Sequence, residues 1–180
     1  MLFRSKRILP AKGEKEPLTA QYIKSRGHWK SILRDDFSRF TIQQYLMIIA
    51  EIGQAHDGSL GILHSYIDAL APTGVDAIKF QTHIAEAESS PYEQFRIPFS
   101  YVDKTRFDYW KRMELSLEQW MEVKAHCDAA GVQFISSPFS CAAIDLLEKV
   151  GIQQYKVGSG EVTNHLLLQK IQLNFKELIF

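Results

Sequence analysis

Two patterns of apolar and polar residues alternate along the chain from residue 47 to residue 171. Runs of four to six residues, rich in β-branched and aromatic side chains, predict buried strands. Between the runs, apolar residues recur at spacings of three and four, which predicts amphipathic helices. The runs place four strands at Ile48–Glu51, Val75–Phe80, Val132–Ser136 and Gln154–Val157.

Capping residues bound the helices between these strands. Ser116, with Gln119 three residues later, forms a capping box and so predicts a helix start. Residues of the same kinds mark the other helix starts and the helix ends: Ser59, Ser140 and Asn164, then Gly131 and Gly151. Strands that alternate with helices pair in parallel, so we predict an α/β fold of the (β/α) barrel type.

Three segments repeat one register, with a helix-ending glycine, a strand, and a polar residue five positions after the glycine: GVDAIKF, GVQFISS and GIQQYKV. The polar residues are Lys79, Ser136 and Lys156, and Glu51 ends the first strand in the equivalent place. Because the carboxyl ends of parallel strands meet at one rim, we expect these four side chains to gather there.

The first 46 residues differ in charge from the rest of the chain. Residues 1–45 carry ten Lys and Arg against four Asp and Glu, and the remainder carries eleven against seventeen. A basic segment can contact nucleic acid or an anionic surface, but this one has no basic-aromatic repeat. We therefore expect residues 1–46 to be a poorly ordered basic extension, with no nucleic-acid partner.

No apolar run approaches the roughly 20 residues that a membrane-spanning helix needs, so we expect no membrane contact. Cys127 and Cys141 fit no metal-binding spacing. Both fall in predicted helices, which favours reduced core thiols in a cytoplasmic protein.

The predicted rim carries groups suited to an anionic substrate. Lys79 and Gln81 close the second strand, and Lys156 precedes the glycine-rich GSGE, whose backbone N–H groups can approach an anion. Ser136 and Ser137 add hydroxyls. Each group alone is as consistent with an ordinary strand end; it is their shared position that indicates phosphate binding.

Acidic and aromatic residues extend this candidate site. Glu51 and Glu161 can transfer protons, and His56 can act as an acid, a base or a substrate ligand. We expect the other histidines to be structural or exposed: His64, His83, His126 and His165. The segment 90–112 is rich in aromatic residues, which favours a lid or sugar platform over disorder, with core packing as the alternative.

Together the stretches IIAEIGQAHDGS, DAIKFQT, MELSLEQW, FISSPFS and YKVGSGEVTN resemble the N-acetylneuraminate (sialic acid) synthase family. The resemblance covers residues 47–171. It implies a (β/α)8 barrel that condenses phosphoenolpyruvate with an N-acetylated aminosugar of the N-acetylmannosamine type. It also implies a homodimer and a divalent Mn or Mg ion, whose histidine ligands in the family lie beyond this chain.

Matching the motifs position by position assigns roles. The resemblance gives Lys79, Ser137 and Ser159 to the phosphate of phosphoenolpyruvate and Lys156 to its carboxylate. Gln81 is assigned to positioning the substrates. Glu51 and Glu161 are assigned to the sugar and to the water that attacks C2 of phosphoenolpyruvate.

Two motifs depart from the family pattern. Ser137 stands where the family usually has threonine, which keeps a hydroxyl. Ala55, His56 and Asp57 stand where Asn-His-Asn is common, which leaves the choice of sugar open.

The chain ends differently from the family after Ile171. We therefore expect about four of eight βα units, a non-family tail over residues 172–180, and a frameshift or interrupted reading frame as its origin. A half barrel would leave the first and fourth strands with open edges, so we also expect marginal stability and little catalysis. Two alternatives remain: another phosphoenolpyruvate-dependent keto-sugar-acid synthase, or a non-catalytic half-barrel remnant.

Overall fold

A computed structural model describes residues 2–6, 46–174 and 177–179. Its six strands form one sheet in sequence order. The first strand pairs with the second antiparallel, and all later pairs are parallel. The strands are β1 Leu2–Lys6, β2 Leu46–Glu51, β3 Ala77–Thr82, β4 Gln133–Pro138, β5 Gln154–Lys156 and β6 Glu177–Ile179.

Helices connect the parallel strands. They are α1 Leu60–Leu70, α2 Ala85–Glu88, α3 Arg106–Met113, α4 Leu117–Ala129, α5 Cys141–Val150 and α6 His165–Leu173, with 3-10 turns at Ala71–Thr73 and Ser159–Glu161. The predicted capping box is confirmed at the start of α4, where Ser116 Oγ accepts from the backbone N–H of Gln119. Gly151 ends α5 in the left-handed region at φ 82°. The alternation of strand and helix confirms the predicted α/β fold as a partial (β/α) barrel.

The main hydrophobic core lies between the sheet and the helices. From the sheet it takes Phe80, Phe134 and Tyr155, and from α4 it takes Trp120, whose ring meets Phe80 edge-on at 6.0 Å. Each longer helix adds buried aliphatic side chains: Leu63 and Ile67 of α1, Ile144 and Leu147 of α5, and Leu167 and Ile171 of α6. Phe80, Phe134 and Tyr155 project from the same face of the sheet, so the helices cover that face, which we call the outer face.

The opposite, inner face has a smaller apolar cluster of Ile49, Ala77, Ile135 and Ile179. The remaining inner-face positions of β2–β5 are mostly polar. An inner face with few apolar groups at its carboxyl end is where a barrel of this type places its ligands.

Three sequence-based expectations need correction. The structure has five parallel strands where four were predicted, because the short segment Glu177–Ile179 pairs beside β5. The edges predicted to be open are paired, since β1 lies along β2 and β6 along β5. Strand β3 begins and ends two residues later than predicted, and so includes Gln81 and Thr82.

The predicted extension can be compared with the structure only at its ends. Residues 2–6 form β1, and residue 46 begins β2. Residues 7–45 lie outside the described residues, so the predicted division of the chain at residue 46 stays a prediction.

Candidate functional site

Strand register brings most of the predicted site residues onto the inner face. Glu51 pairs with Lys79, and Gln81 pairs with Ser137. Ser136 pairs with Tyr155, so the next residues along, Ser137 and Lys156, lie side by side. Because alternate residues of a strand share a face, one polar surface near the carboxyl ends of β2–β5 presents Glu51, Lys79, Gln81, Ser137 and Lys156.

Lys79 is a buried cation on this surface. It is 3% exposed, and its Nζ lies 3.3 Å from Glu51 Oε2. Burial lowers the pKa of Lys79 because it disfavours the charged form. The Glu51 carboxylate opposes this effect, and the charge of Lys156 adds to it. Lys79 has one carboxylate beside it and a second lysine near it, so a bound anion would stabilise its charge.

Ser137 presents a hydroxyl beside these lysines. The residue is 1% exposed, and its Oγ has no hydrogen-bond partner within the described parts of the chain. An unpaired buried hydroxyl costs free energy until it finds a partner. Its position on the same face as Lys79 makes a bound anion a suitable partner.

Ser136 does not belong to this surface. It lies opposite Phe80 and Tyr155 on the outer face, and its Oγ is 2.8 Å from Thr82 Oγ1. The repeat in the sequence predicted that Ser136 is equivalent to Lys79. In the sheet Lys79 pairs with Ile135, so the prediction was wrong by one residue. Counting from the helix-ending glycine failed because loops of unequal length lead into the two strands.

A cavity of about 320 Å³ adjoins the polar surface through Gln81. Two acids of different origin reach it: Glu161 from the 3-10 turn after β5 and Glu88 from α2. The full lining is Gln54, Gln81, His83, Glu88, Arg106, Trp110, Phe139 and Glu161. Polar groups around an aromatic wall suit a polyhydroxylated ligand with an apolar edge.

His83 lines the cavity, which the sequence did not indicate. It was predicted to be structural or exposed, and of the two the structure shows it buried, at 5% exposed. Its ring stacks between Trp110 at 4.0 Å and Phe139 at 4.4 Å. The only sequence signal was its place directly after the end of β3, since both aromatic partners come from distant segments.

The aromatic segment divides between the cavity and the surface. Trp110, on α3, belongs to the cavity lining. Phe99 and Tyr109 meet edge-on at 5.1 Å and pack on each other, whereas Tyr92 and Tyr101 are exposed. Trp110 thus lies where a sugar platform would stand, and its role as a platform stays a prediction. Phe99 is 59% exposed, so its contact with Tyr109 is not core packing.

The remaining predicted residues lie at the margins. His56 is 2% exposed, is not among the residues that line the cavity, and its Nδ1 accepts from the backbone N–H of Gly58 at 3.1 Å. Burial lowers the pKa of His56, and nearby His83 lowers it further. Ser159 is exposed in its 3-10 turn, and Glu161 accepts from Asn164 Nδ2 at 2.8 Å.

Two other histidines lie apart from the cavity. His64 on α1 and His126 on α4 approach each other with their Nδ1 atoms 2.7 Å apart, and each Nε2 faces a carboxylate.

Within the described residues, no group of three or more histidine, cysteine or acidic side chains is arranged to hold a metal ion. The described residues therefore do not fit a divalent-metal site.

No helix in the described part of the chain combines the length and the apolar character that crossing a bilayer requires.

Comparison with protein families finds a match to a model described as the NeuB family over residues 66–180. The match extends through residues 172–180, which the sequence analysis set apart as a tail.

Several curated relatives are synthases. The chain is 32% identical over 139 residues to the N,N'-diacetyllegionaminic acid synthase of Campylobacter jejuni, covering 74% of this chain and 41% of that protein. It is 29% identical to the N-acetylneuraminate-9-phosphate synthase of Homo sapiens, covering 71% and 36%. The chain thus spans about two fifths of the length of these relatives.

Solved structures share the fold. The spore coat polysaccharide biosynthesis protein spsE of Bacillus subtilis aligns with a TM-score of 0.58 at 28% identity, over 76% of this chain and 36% of that one. The N-acetylneuraminic acid synthetase of Leptospira borgpetersenii aligns with a TM-score of 0.59 at 20% identity, over 77% and 47%. This second likeness supports the fold alone.

Proposed function

The chain belongs to the NeuB family, and from this premise we propose that it carries the phosphoenolpyruvate site and part of the aminosugar site of a nonulosonic acid synthase. The proposed reaction condenses phosphoenolpyruvate with an N-acetylated aminosugar of the N-acetylmannosamine type and releases phosphate. Relatives named as legionaminic, pseudaminic and sialic acid synthases support this class of product.

One observation carries the proposal. Lys79 is a buried cation with Lys156 close by, and on the same inner face the Ser137 hydroxyl has no partner among the residues that the structure describes. Cations and hydroxyl donors in a site with little water are what a phosphate ester requires. We assign Lys79, Ser137 and Ser159 to the phosphate and Lys156 to the carboxylate.

The cavity beside this surface suits the aminosugar. Gln81 lies at the junction and can contact both ligands. Trp110 and Phe139 offer aromatic faces for the apolar side of a sugar or its N-acetyl methyl group. Among the described residues that line the cavity the one arginine is Arg106, whose pairing with Glu93 at 2.7 Å favours a neutral sugar over a phosphorylated one.

The two acids then divide the proton transfers. C3 of phosphoenolpyruvate bonds to the aldehyde carbon of the sugar, and the aldehyde oxygen takes a proton from Glu161 in the cavity lining. Water adds at C2 and gives a proton to Glu51, which lies beside Lys79. The bond between C2 and the phosphate oxygen then breaks, the proton of the new C2 hydroxyl passes to the departing phosphate, and the 2-keto acid remains. Glu51 and Glu161 thus return to their starting states once a proton moves between them through solvent.

Calorimetric titration tests the proposal on the chain itself. We expect phosphoenolpyruvate to bind and inorganic phosphate to compete with it. Pyruvate, which lacks the phosphoryl group, serves as the matched control and should bind at least 10-fold more weakly. Equal affinity for pyruvate and phosphoenolpyruvate would overturn the assignment of the inner face to phosphate.

A coupled assay then tests the reaction. Phosphoenolpyruvate is incubated with N-acetylmannosamine or a diacetylated analogue, and phosphate release is followed together with the mass of the sugar acid. Formation of a nine-carbon keto acid supports the synthase, and a product from another aldehyde class would favour a different keto-sugar-acid synthase.

A further inference from the structure

Three side chains at the cavity form one hydrogen-bonded chain. Glu88 Oε2 lies 2.9 Å from His83 Nδ1, and its other oxygen accepts from the backbone N–H of Ile84 at 2.7 Å. On the far side of the ring, His83 Nε2 lies 2.5 Å from Gln54 Nε2. Both ring nitrogens therefore have protein partners, and His83 keeps none for a ligand.

The partners fix the tautomer of His83. A carboxylate only accepts hydrogen bonds, so the proton of the neutral ring lies on Nδ1, facing Glu88. Nε2 then carries a lone pair and accepts an amide N–H of Gln54. Stacking between Trp110 and Phe139, nearly parallel to both at 13° and 10°, fixes the plane of the ring.

The fixed ring in turn orients Gln54. Its amide nitrogen is held by His83, so its carbonyl oxygen points away from the ring. Gln54 lines the cavity, and its side chain makes no other hydrogen bond within the described residues. The carbonyl oxygen is thus an available acceptor in a cavity whose proposed occupant is rich in hydroxyl donors.

We propose that His83 is a positioning residue, and that it holds the carbonyl oxygen of Gln54 ready to accept from a hydroxyl or amide N–H of the aminosugar. This inference rests on the proposed function for the identity of the ligand. The orientation of Gln54 rests only on the Glu88–His83–Gln54 contacts and can be tested without a ligand.

Nitrogen-15 NMR of the full chain tests the orientation. We expect His83 to show the Nδ1–H tautomer. His56 is an internal control, because its Nδ1 accepts from Gly58 and so its proton must lie on Nε2. Opposite tautomers in the two histidines would support the inference, and an Nε2–H tautomer for His83 would overturn it.

The isosteric substitution Glu88→Gln should reverse the arrangement. Its amide oxygen keeps the hydrogen bond from Ile84, so its NH2 group faces His83 Nδ1 and forces that atom to accept. The proton of His83 then moves to Nε2, and Gln54 must turn its oxygen toward the ring. We expect the tautomer signal to switch while the chain keeps its circular dichroism spectrum.

Binding measurements test the role of Gln54. Gln54→Ala and Glu88→Gln should each weaken N-acetylmannosamine binding about 2- to 10-fold, the value of one neutral hydrogen bond. Phosphoenolpyruvate binding should stay unchanged. The double variant should bind no more weakly than Gln54→Ala, because both changes remove the same contact.

The outcomes separate this inference from the proposed function. Losses that add in the double variant, or unchanged N-acetylmannosamine binding in both single variants, would overturn the role of Gln54. A chain that binds phosphoenolpyruvate but not N-acetylmannosamine would overturn it too. A chain that binds neither ligand would overturn the proposed function, while the tautomer spectrum would still decide the orientation of Gln54.

Discussion

Replacing Lys79 with methionine should remove the anion site and leave the fold intact. Lys79 is 3% exposed, and a methionine of similar length can fill its space. A hydrogen bond between charged groups contributes about 1.5–3 kcal/mol. Its loss corresponds to about 10- to 150-fold weaker phosphoenolpyruvate binding.

The cost to stability should be smaller than that of an ordinary broken buried ion pair. Removing one partner of a fully buried pair costs about 3–5 kcal/mol because the other charge stays buried. The Glu51 side chain is 19% exposed, so water can solvate its carboxylate when Lys79 is gone. Burial also penalises the charge of Lys79 itself, and the substitution removes that penalty.

Isothermal titration calorimetry with phosphoenolpyruvate measures the loss, and urea denaturation confirms folding. Lys170→Met is the matched control. Lys170 also pairs with a carboxylate, Asp145 at 2.6 Å, but lies on α6 with its side chain 31% exposed. Binding by Lys79→Met within twofold of wild type, with Lys170→Met also unchanged, would refute the assignment of Lys79 to the phosphate.

The pH dependence of binding gives a second test of Lys79. The folded chain holds the pKa of Lys79 below its ordinary value, and a bound phosphate raises it again by favouring the charged form. Binding therefore takes up a proton once pH exceeds the lowered pKa. Above about pH 8, where phosphate itself is fully ionised, affinity should fall as pH rises. The slope should be shallower in Lys79→Met.

Three further predictions concern single residues. Ser137→Ala should weaken phosphoenolpyruvate binding without lowering the melting temperature, since the hydroxyl has no partner to lose within the described residues; a clear drop in melting temperature would argue against this. Gly58→Ala should cost more free energy of unfolding than Gly74→Ala in urea titrations. Both glycines have positive φ, 77° and 85°, so each substitution costs about 1–2 kcal/mol in backbone strain. Of the two, only Gly58 would bring the new Cβ against backbone, 2.1 Å from a carbonyl oxygen of α3. Equal losses of unfolding free energy would contradict this prediction. Burial raises the pKa of the Cys127 thiol from 9.0 to about 12. As pH rises between these two values, the thiol loses its proton in the unfolded chain before it does in the folded chain, so the free energy of unfolding should fall. Cys127→Ala should reduce this fall, and thiol labelling of the native chain should modify Cys141 well before Cys127.

Local pattern was enough to predict the framework. The capping box at Ser116, the cap at Ser140 and the turn at Gly151 each act within a few residues, so the order of β2–β5 and of α1, α4, α5 and α6 follows from the sequence. Helices α2 and α3 formed in a segment that was predicted to be one long connection. The strand β6 escaped prediction because three residues carry no period. It is formed only by pairing with β5.

The candidate site also has a part that the sequence predicted and a part that it did not. Glu51 and Lys156 stand at strand ends and Lys79 lies within β3, and the expectation that parallel strands share a carboxyl rim was sufficient to group them. Ser136 was grouped wrongly because facing depends on the register between strands, and a shift of one residue turns a side chain to the opposite face.

The role of His83 needed the tertiary structure. Its tautomer depends on Glu88 and Gln54, and its ring on Trp110 and Phe139. Gln54, Trp110 and Phe139 come from separate connections of the barrel, and nothing in their local spacing brings them together. The sequence by itself therefore determined which strands place charged side chains at the carboxyl rim of the sheet. Packing of distant loops decided which neighbours hold each polar atom, because hydrogen bonds depend on positions in space and not on spacing along the chain.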